Sequence, residues 1–304
     1  MNRGGRWAWV LFAAHVGLIV FSTAAMLTVL AGRSGLDLTT EPAATVMRVA
    51  FRFAGPSCVV FGALSAIAFL WSTLGWRPAL VLAATASALA LGTELIGTSV
   101  ALPFGDYAYS GLLGYRILGL VPFPIPLSWF YMLVGSLVIV ARVSQVKDDR
   151  RSKWTWALGA GLLMVAWDIA MDPAMAKTGH WLWGNGAVFR DATIPGWLVT
   201  FFTDDAFYGM PLSNWCGWLL TATLIARVML AIVPPSGVRA RLSTSPLPVA
   251  LYLANGVMPV ALCLRDGFWW AAALGSVAMT LPATIAWRGR IVHRGLDLAE
   301  RRPA

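Results

Sequence analysis

Long apolar runs alternate with short polar stretches along almost the whole of this 304-residue chain. Each run is close to the roughly 20 residues that a helix needs to cross the hydrocarbon core of a bilayer. The pattern predicts eight membrane-spanning helices, at residues 7–30, 53–74, 78–101, 126–143, 154–171, 211–233, 248–264 and 268–287. We therefore expect an all-α integral membrane protein in which about seven or eight transmembrane helices form a single domain over residues 1–304.

Two segments interrupt this pattern, at residues 102–125 and 172–210, and both are rich in aromatic residues. The fifth helix approaches Pro173, and a proline disfavours the helical conformation of the residue before it. We therefore expect this helix to end one residue before the proline. Shorter loops are predicted at residues 31–52 and 147–153.

The composition supports a membrane protein. Charged residues make up 12% of the chain, whereas a soluble domain carries about 25%, so a soluble enzyme with a single anchor is excluded. The net charge of +9 is compatible with nucleic-acid binding. However, Lys and Arg are scattered at the predicted helix ends and do not gather on one basic face. We expect no nucleic-acid partner.

The basic residues also predict the orientation in the membrane. With the amino terminus inside, 15 of the 23 Lys and Arg residues fall in inner segments and 7 in outer segments, while Arg227 lies within the sixth helix. Cytoplasmic loops of membrane proteins carry such an excess. We therefore expect a multi-pass protein of the inner membrane with both termini in the cytoplasm. Both aromatic segments are then predicted on the extracytoplasmic face.

Few residues in this chain could hold a metal or a cofactor. The three cysteines lie in apolar runs and form no CxxC pair, so they predict neither a disulfide framework nor a metal site. The histidines are His15, His180 and His293, and His15 is expected to be a core residue. Neither the P-loop nor the dinucleotide-binding glycine pattern occurs. We expect no metal and no cofactor.

Three carboxyl groups lie within or at the end of predicted membrane helices: Glu94, Asp168 and Asp172. Such groups are costly in a bilayer and usually face the bundle interior or a cavity. Glu94 shares a helix face with Thr98, as Asp168 does with Asp172, because residues four apart are neighbours. The helix carboxyl end and a low dielectric both disfavour negative charge. We therefore expect a neutral carboxyl group that can act as a general acid.

Each candidate also has a plainer explanation. Glu94 could form a hydrogen bond to a neighbouring helix, and Asp172 could cap its own helix. Asn214 could join two helices, and Asp106 follows a glycine in a turn, where Asp is favoured for backbone reasons. The aspartates at 204–205 could be solvated at the membrane interface, where the Trp residues could form a belt.

Four motifs follow one another within residues 92–218, the predicted catalytic core: GTSVALPFGDYAY, GLVPFPIPLSWF, AWDIAMDPAM and YGMPLSNWCGW. Together they resemble the carotenoid 1′,2′-hydratase family, the bisanhydrobacterioruberin and γ-carotene hydratases. The resemblance implies an integral membrane enzyme without a cofactor. Such an enzyme adds water across the terminal C1′,C2′ double bond of an acyclic ψ end group and forms a tertiary alcohol. The implied partners are an acyclic or monocyclic carotenoid, membrane lipid and other enzymes of the carotenoid pathway.

The implied reaction protonates an alkene to a tertiary carbocation, which water then captures. On this basis Asp168 or Glu94 is the expected proton donor, with Asp172 as a further catalytic candidate. Asp106 or Asp205 is expected to orient the water. Aromatic ring faces would stabilise the cation by about 2 kcal/mol each when desolvated. The predicted substrate-binding residues are Thr98, Tyr107, Tyr109, Trp129, Trp167, Tyr208, Asn214 and Trp215.

Three other functions stay open on the sequence alone. A carotenoid end-group cyclase would use the same protonation but exclude water. A polyprenyl transferase would need aspartate-rich magnesium motifs, and the aspartates at 204–205 lack the further aspartate that would complete one. A transporter or a non-catalytic assembly protein of a pigment pathway would be favoured by inverted repeats with broken helices, and no convincing internal repeat is found in the sequence.

Overall fold

Within the residues that this computed structural model describes, 3–28, 41–184 and 195–300, eight helices are long and apolar enough to cross a membrane. They are α1 (Arg3–Thr28), α2 (Glu41–Leu74), α3 (Trp76–Val100), α4 (Pro124–Val143), α5 (Arg150–Lys177), α7 (Leu212–Ile232), α9 (Leu247–Arg265) and α10 (Trp269–Glu300). Two short helices are α6 (Gly196–Thr203) and α8 (Pro235–Gly237), and α8 continues into a π-helical turn, Val238–Leu242. The predicted all-α membrane bundle is confirmed.

The centre of the bundle is α4, which is apolar around its whole circumference. Its side chains are buried without a break from Ser128 to Arg142, as expected for a helix that other helices surround. Helix α5 packs beside it and is buried along most of its length. Outer helices such as α3 and α10 instead expose large apolar side chains, for example Leu80 and Val277. This is the pattern of a surface that faces lipid.

Two glycines allow the central helices to approach one another closely. A Cβ on Gly161 of α5 would lie 2.5 Å from Thr223 Oγ1 of α7 and 3.1 Å from the carbonyl oxygen of Leu219. A Cβ on Gly135 of α4 would lie 2.8 Å from the carbonyl oxygen of Pro248 in α9. Small residues at such contacts are typical of helix packing in membranes.

The two aromatic segments meet at one end of the bundle and form an antiparallel ribbon. Strand β1 (Tyr107–Tyr109) pairs with β4 (Trp181–Trp183), so that Tyr107 lies opposite Trp183 and Tyr109 opposite Trp181. Side chains alternate between the two faces of a strand, which brings these four rings to the same face of the ribbon. Strands β2 (Arg116–Ile117) and β3 (Val121–Pro122) form a small hairpin between β1 and α4. We call β1 with β4 the aromatic ribbon, and its side of the bundle the ribbon end.

Several predicted helix boundaries are wrong. Helix α5 passes through Pro173 and ends at Lys177. The proline removes one backbone hydrogen bond, but the last turns stay helical because residues 170–175 pack inside the bundle. Helix α5 also begins within the predicted 147–153 loop, where the side chain of Asp149 accepts a hydrogen bond from the Ser152 amide at 2.7 Å.

The predicted loop at residues 31–52 is wrong in its second half. Helix α2 already begins at Glu41, whereas residues 29–40 lie outside the described part of the chain. At the other end, the candidate membrane span Trp269–Arg288 agrees with the predicted span of residues 268–287, although α10 itself continues to Glu300. The segment predicted as a loop at 172–210 contains β4 and α6, and its residues 185–194 also lie outside the described part.

Candidate active site

A cavity of about 1450 Å³ lies inside the ribbon end of the bundle. Helices α1 to α5, α7 and α9 and the aromatic ribbon all contribute to its wall. Pockets for drug-sized ligands measure about 300–1,000 Å³, so this cavity is large enough for part of a long molecule. Most lining residues are apolar or aromatic, and a few polar side chains converge on the space, including Glu94, Asp172 and Asn214.

The first polar site is Glu94 with its three aromatic donors, which we call the Glu94 clamp. The side chain is buried, and its Oε2 accepts hydrogen bonds from the hydroxyl groups of Tyr107 at 2.6 Å and Tyr109 at 2.8 Å. Its Oε1 accepts a third from Trp129 Nε1 at 3.0 Å. Gly97 makes room for this arrangement, because a Cβ there would lie 2.9 Å from the Tyr107 hydroxyl oxygen and 2.7 Å from the Phe104 ring.

The second polar site is formed by Asp168 and Asp172, which we call the aspartate pair. One side-chain amide serves both, since Asn214 Nδ2 donates to Asp172 Oδ2 at 2.6 Å and to Asp168 Oδ2 at 2.9 Å. Trp181 Nε1 donates to the other oxygen of Asp172. Asp168 Oδ1 is buried without a hydrogen-bond partner among the described residues. Asp172 lines the cavity, whereas Asp168 lies behind it and is fully buried.

The aromatic ribbon connects the two polar sites. Tyr109 binds Glu94 and Trp181 binds Asp172, and the two rings meet edge to face with centroids 5.8 Å apart. Burial raises the pKa of Tyr109 well above its ordinary value, and the negative charge of Glu94 beside it raises that pKa further. Burial and Glu94 raise the pKa of Tyr107 in the same way. Both hydroxyl groups therefore stay protonated and keep donating to Glu94.

Indole rings form the wall beside the two sites. Trp129 stacks on Trp218 with centroids 4.3 Å apart, and Trp167 meets Trp218 edge to face at 5.8 Å. Trp183 packs against Tyr107 with ring centroids 5.6 Å apart. Indole faces attract cations, so a wall of this composition can stabilise a positive charge that develops in the cavity.

The exposed part of the lining marks the mouth of the cavity. Arg52 and Phe53 at the start of the α2 span lie there, with Leu112 and Tyr115 near the turn of 3₁₀ helix at Gly111–Leu113. Phe53 is 57% exposed and Tyr115 is 74% exposed. The mouth therefore combines apolar and aromatic side chains with one arginine.

A third group of polar side chains lies deeper in the bundle, around Asn255. The Asn255 oxygen accepts from the Tyr131 hydroxyl at 2.9 Å, and its Nδ2 lies 3.1 Å from His15 Nε2. His15 Nδ1 lies 2.7 Å from the carbonyl oxygen of Cys58. A carbonyl can only accept, so Nδ1 carries the proton and Nε2 accepts from Asn255. His15 is thus a buried residue with both ring nitrogens bonded, as expected for a core histidine.

Asp168 lies behind the cavity, and five further predicted site residues do not line it either. Asp205 is exposed and its carboxylate accepts from the Gly209 amide at 2.8 Å, which closes a local turn. The hydroxyl group of Thr98 bonds back to the carbonyl oxygen of Glu94 at 2.8 Å. Asp106 lies half-buried beside the backbone of Gly184. Tyr208 packs on Phe268, and Trp215 packs on Phe207. The structure therefore does not bring Asp106 and Asp205 to the place where a water-orienting base was expected.

The cavity residues that were missing from the predicted set include His180, Trp181, Trp183 and Trp218. The two ribbon tryptophans could have been found, because WLW at 181–183 repeats the alternation of YAY at 107–109. His180 Nδ1 lies within hydrogen-bond distance of Thr178 Oγ1, at 2.8 Å. Burial lowers the pKa of His180 to about 4. It is therefore neutral at ordinary pH.

Neither polar site is arranged for a metal or a salt bridge in the part of the chain that the structure describes. No group of three or more His, Cys, Asp or Glu side chains there could hold a metal ion. The ion pair found in this part joins Arg265 to Asp266 at 2.6 Å, outside the cavity lining. Glu94 and Asp172 instead accept hydrogen bonds from hydroxyl, indole and amide donors.

Comparisons with known proteins agree with these features. The chain is 26% identical over 233 residues to a bisanhydrobacterioruberin hydratase of Haloarcula japonica, which covers 75% of this chain and 68% of that protein. No solved structure matches the present chain. A family model described as carotenoid biosynthesis protein matches residues 54–282, a range that contains both polar sites. The chain belongs to this family of carotenoid biosynthesis proteins.

Proposed function

We propose that this protein is a hydratase that adds water across the terminal double bond of an acyclic carotenoid end group. One observation carries the proposal: two buried carboxyl groups, Glu94 and Asp172, face one apolar cavity from either side of the aromatic ribbon. The hydratase named among the relatives supports the same reaction class. The substrate is a hydrocarbon, which agrees with the apolar wall.

The chemistry needs one acid, one base and a wall that tolerates a cation. A proton adds to C2′ of the end group, the electron pair of the double bond forms the new C–H bond, and C1′ becomes a tertiary carbocation. Water then forms a C–O bond at C1′ and loses a proton to a base. When that proton returns from the base to the acid, the net change is the addition of one water molecule.

Asp172 is the proposed proton donor. It lines the cavity, and it shares the Asn214 amide with Asp168 behind it. Two neighbouring carboxylates repel each other, and burial without a cation disfavours a second charge. One proton held between the two aspartates removes that repulsion. Asp168, expected from the sequence as a donor, then acts as a positioning residue that keeps the proton on its neighbour.

Glu94 is the proposed base. Three donors surround its carboxylate, and hydrogen bonds to a carboxylate favour the ionised form. A carboxylate in this place attracts the carbocation and takes the proton of the attacking water. This assignment replaces Asp106 and Asp205, which do not line the cavity.

The rings of Trp129 and Trp218 are proposed to flank the cation. Their stacked indoles lie against the clamp, since Trp129 also donates to Glu94. A desolvated cation–π contact is worth about 2 kcal/mol. The remainder of the polyene would leave through the mouth at Phe53 and Tyr115 into the lipid. We also propose that the ribbon end faces the extracytoplasmic side of the inner membrane, as the basic residues predict.

Expression in a host that accumulates lycopene tests this proposal. The expected pigment is heavier by one water for each hydrated end and carries a tertiary hydroxyl group. The Asp172→Asn and Glu94→Gln variants should lose this product, whereas the Asp205→Asn variant should keep it. A ring-bearing isomer of unchanged mass would indicate a cyclase. If the wild type leaves lycopene unconverted, as the variants do, a catalytic role in hydration is contradicted.

A further inference from the structure

An apolar groove runs along the outer surface between α3 and α7, on the side of α3 that faces away from the cavity. We call it the α3–α7 groove, and its volume is about 480 Å³. It is lined by Leu89, Thr93, Ile96, Leu102, Pro103, Trp154, Leu220, Thr221, Leu224, Ile225, Arg227 and Val228. Within this set Ile96 is 55% exposed and Leu220 is 53% exposed, so the groove is open to the surrounding membrane. It is distinct from the proposed active site.

An arginine lies at one end of this groove. Arg227 belongs to α7 and sits five residues before its end at Ile232, which places it about 7 Å inside the helix terminus. Its guanidinium lies over the ring of Trp154, with Cζ 5.4 Å from the centroid. Its Nε is buried without a hydrogen-bond partner among the described residues. A cation at this depth is costly unless an anion binds it.

The dimensions of the groove fit one hydrocarbon chain below a charged head. Leu220, Leu224 and Val228 follow one another at four-residue spacing on α7, so they share a face about 12 Å long. The apolar wall ends at Arg227, on the side of the bundle opposite the ribbon end. A molecule in this groove would therefore place its apolar tail along α7 and a negative group at the arginine.

Further positive charge lies near the same end. Arg150, Arg151 and Lys153 occupy the first turn of α5, directly before Trp154. The acidic neighbours in this stretch already bind other groups, since Asp148 accepts from Ser236 at 2.9 Å and Asp149 caps α5. Basic residues next to a membrane helix attract anionic lipid head groups.

We infer that the α3–α7 groove binds one anionic phospholipid, with its phosphate on Arg227 and an acyl chain along α7. The arginine supplies the missing counter-charge for the phosphate and binds it through several N–H groups. Trp154 covers the other face of the guanidinium at the level of the head groups, where tryptophan is favoured. This lipid site is independent of the carotenoid chemistry proposed above.

Native mass spectrometry of the detergent-purified full chain tests the inference, with phosphatidylglycerol and phosphatidylcholine as probes. One phosphatidylglycerol is expected to stay bound, and Arg227→Gln should weaken its binding about fivefold or more, as loss of one basic residue at a membrane surface does. Arg77→Gln is the matched control, because Arg77 also lies over a tryptophan, with Cζ 5.2 Å from the Trp76 ring, but does not line the groove. It should bind phosphatidylglycerol like the wild type.

A second variant separates a lost charge from a lost fold. Leu224→Trp fills the groove and keeps Arg227, so it too should lose the lipid, with unchanged helical circular dichroism and elution volume. The inference is overturned if Arg227→Gln and Arg77→Gln bind phosphatidylglycerol equally, or if phosphatidylcholine binds as tightly. It is also overturned if Leu224→Trp binds phosphatidylglycerol like the wild type, because the acyl chain would then not lie in the groove.

Discussion

The Glu94 clamp and the aspartate pair contain the same chemical group, but a second carboxyl group lies beside only one of them. Glu94 accepts three hydrogen bonds from Tyr107, Tyr109 and Trp129. Asp168 and Asp172 instead share one amide, Trp181 donates to the other oxygen of Asp172, and one oxygen of Asp168 has no partner in the described part of the chain. Donors favour a carboxylate, whereas a second nearby carboxyl group favours a proton. Two carboxyl groups in one apolar cavity can therefore serve as base and acid through their neighbours alone.

The largest loss of hydration activity is expected when the proposed acid, Asp172, is removed. Asp172→Asn keeps the shape of the side chain but cannot donate a carboxyl proton, so the hydration rate should fall about 10³-fold, within the range of general acid catalysis. The measurement is the rate of tertiary alcohol formation in membranes supplied with an acyclic carotenoid. Asp205→Asn is the control and should leave the rate unchanged. A rate within a few-fold of the wild-type rate would show that Asp172 is not the proton donor.

The next largest effect is expected at the base. Glu94→Gln keeps one acceptor oxygen in place of two, cannot take a proton and no longer carries a negative charge near the cation. The rate should fall about 10²-fold, less than in Asp172→Asn because water in the cavity can accept the proton instead. The hydration rates of both variants, measured under the same conditions, show which of the two sites contributes more to catalysis. If Glu94→Gln were the more damaged, the roles assigned to acid and base would be reversed.

A smaller loss is expected when the wall of the clamp is opened. Trp218→Leu removes the indole that stacks on Trp129, and one desolvated cation–π contact of about 2 kcal/mol corresponds to roughly 30-fold in rate. Trp215→Leu is the matched control, because Trp215 lies nearby on α7 but packs on Phe207 and does not line the cavity. Equal losses in both variants would indicate a general packing defect of α7.

The smallest loss of rate is expected when Glu94 loses one of its three hydrogen-bond donors. Tyr109→Phe leaves Glu94 with two hydrogen bonds in place of three, and a hydrogen bond to a charged group is worth about 1.5–3 kcal/mol. The ring and two donors remain, so we expect a loss at the lower end of this range, which is about tenfold in rate. Tyr115→Phe is the control, since Tyr115 is exposed at the mouth. A rate for Tyr109→Phe equal to that of the control would mean that the remaining donors suffice.

The carboxyl groups of the site were accessible from the sequence, but their roles were not. Glu94, Asp168 and Asp172 are conspicuous because an ionisable group is costly in a membrane helix. Asp106 and Asp205 had similar local signals in loop segments, yet neither lines the cavity. Sequence position reveals that a carboxyl group is present near the ribbon end. It does not reveal whether the side chain turns towards the cavity or closes its own turn.

The aromatic ribbon contains site residues that the sequence did not predict. Tyr107 and Tyr109 were predicted at the site, whereas Trp181 and Trp183 were not, although the four rings face one another across two strands. The pairing joins segments about 70 residues apart, and three-residue strands carry too little pattern to predict their partner. Only the folded chain shows that the tyrosines serve Glu94 while Trp181 serves Asp172.

The sequence by itself determined the membrane bundle, its eight helices and the presence of buried carboxyl groups. The reason is that the thickness and low polarity of the bilayer act on every residue locally and leave a signal in length and composition. The tertiary structure alone decided which carboxyl groups share a cavity, which donors each receives, and that α5 passes through Pro173. These outcomes depend on packing between residues distant in the chain, and the free energy of such contacts is not encoded in any single segment.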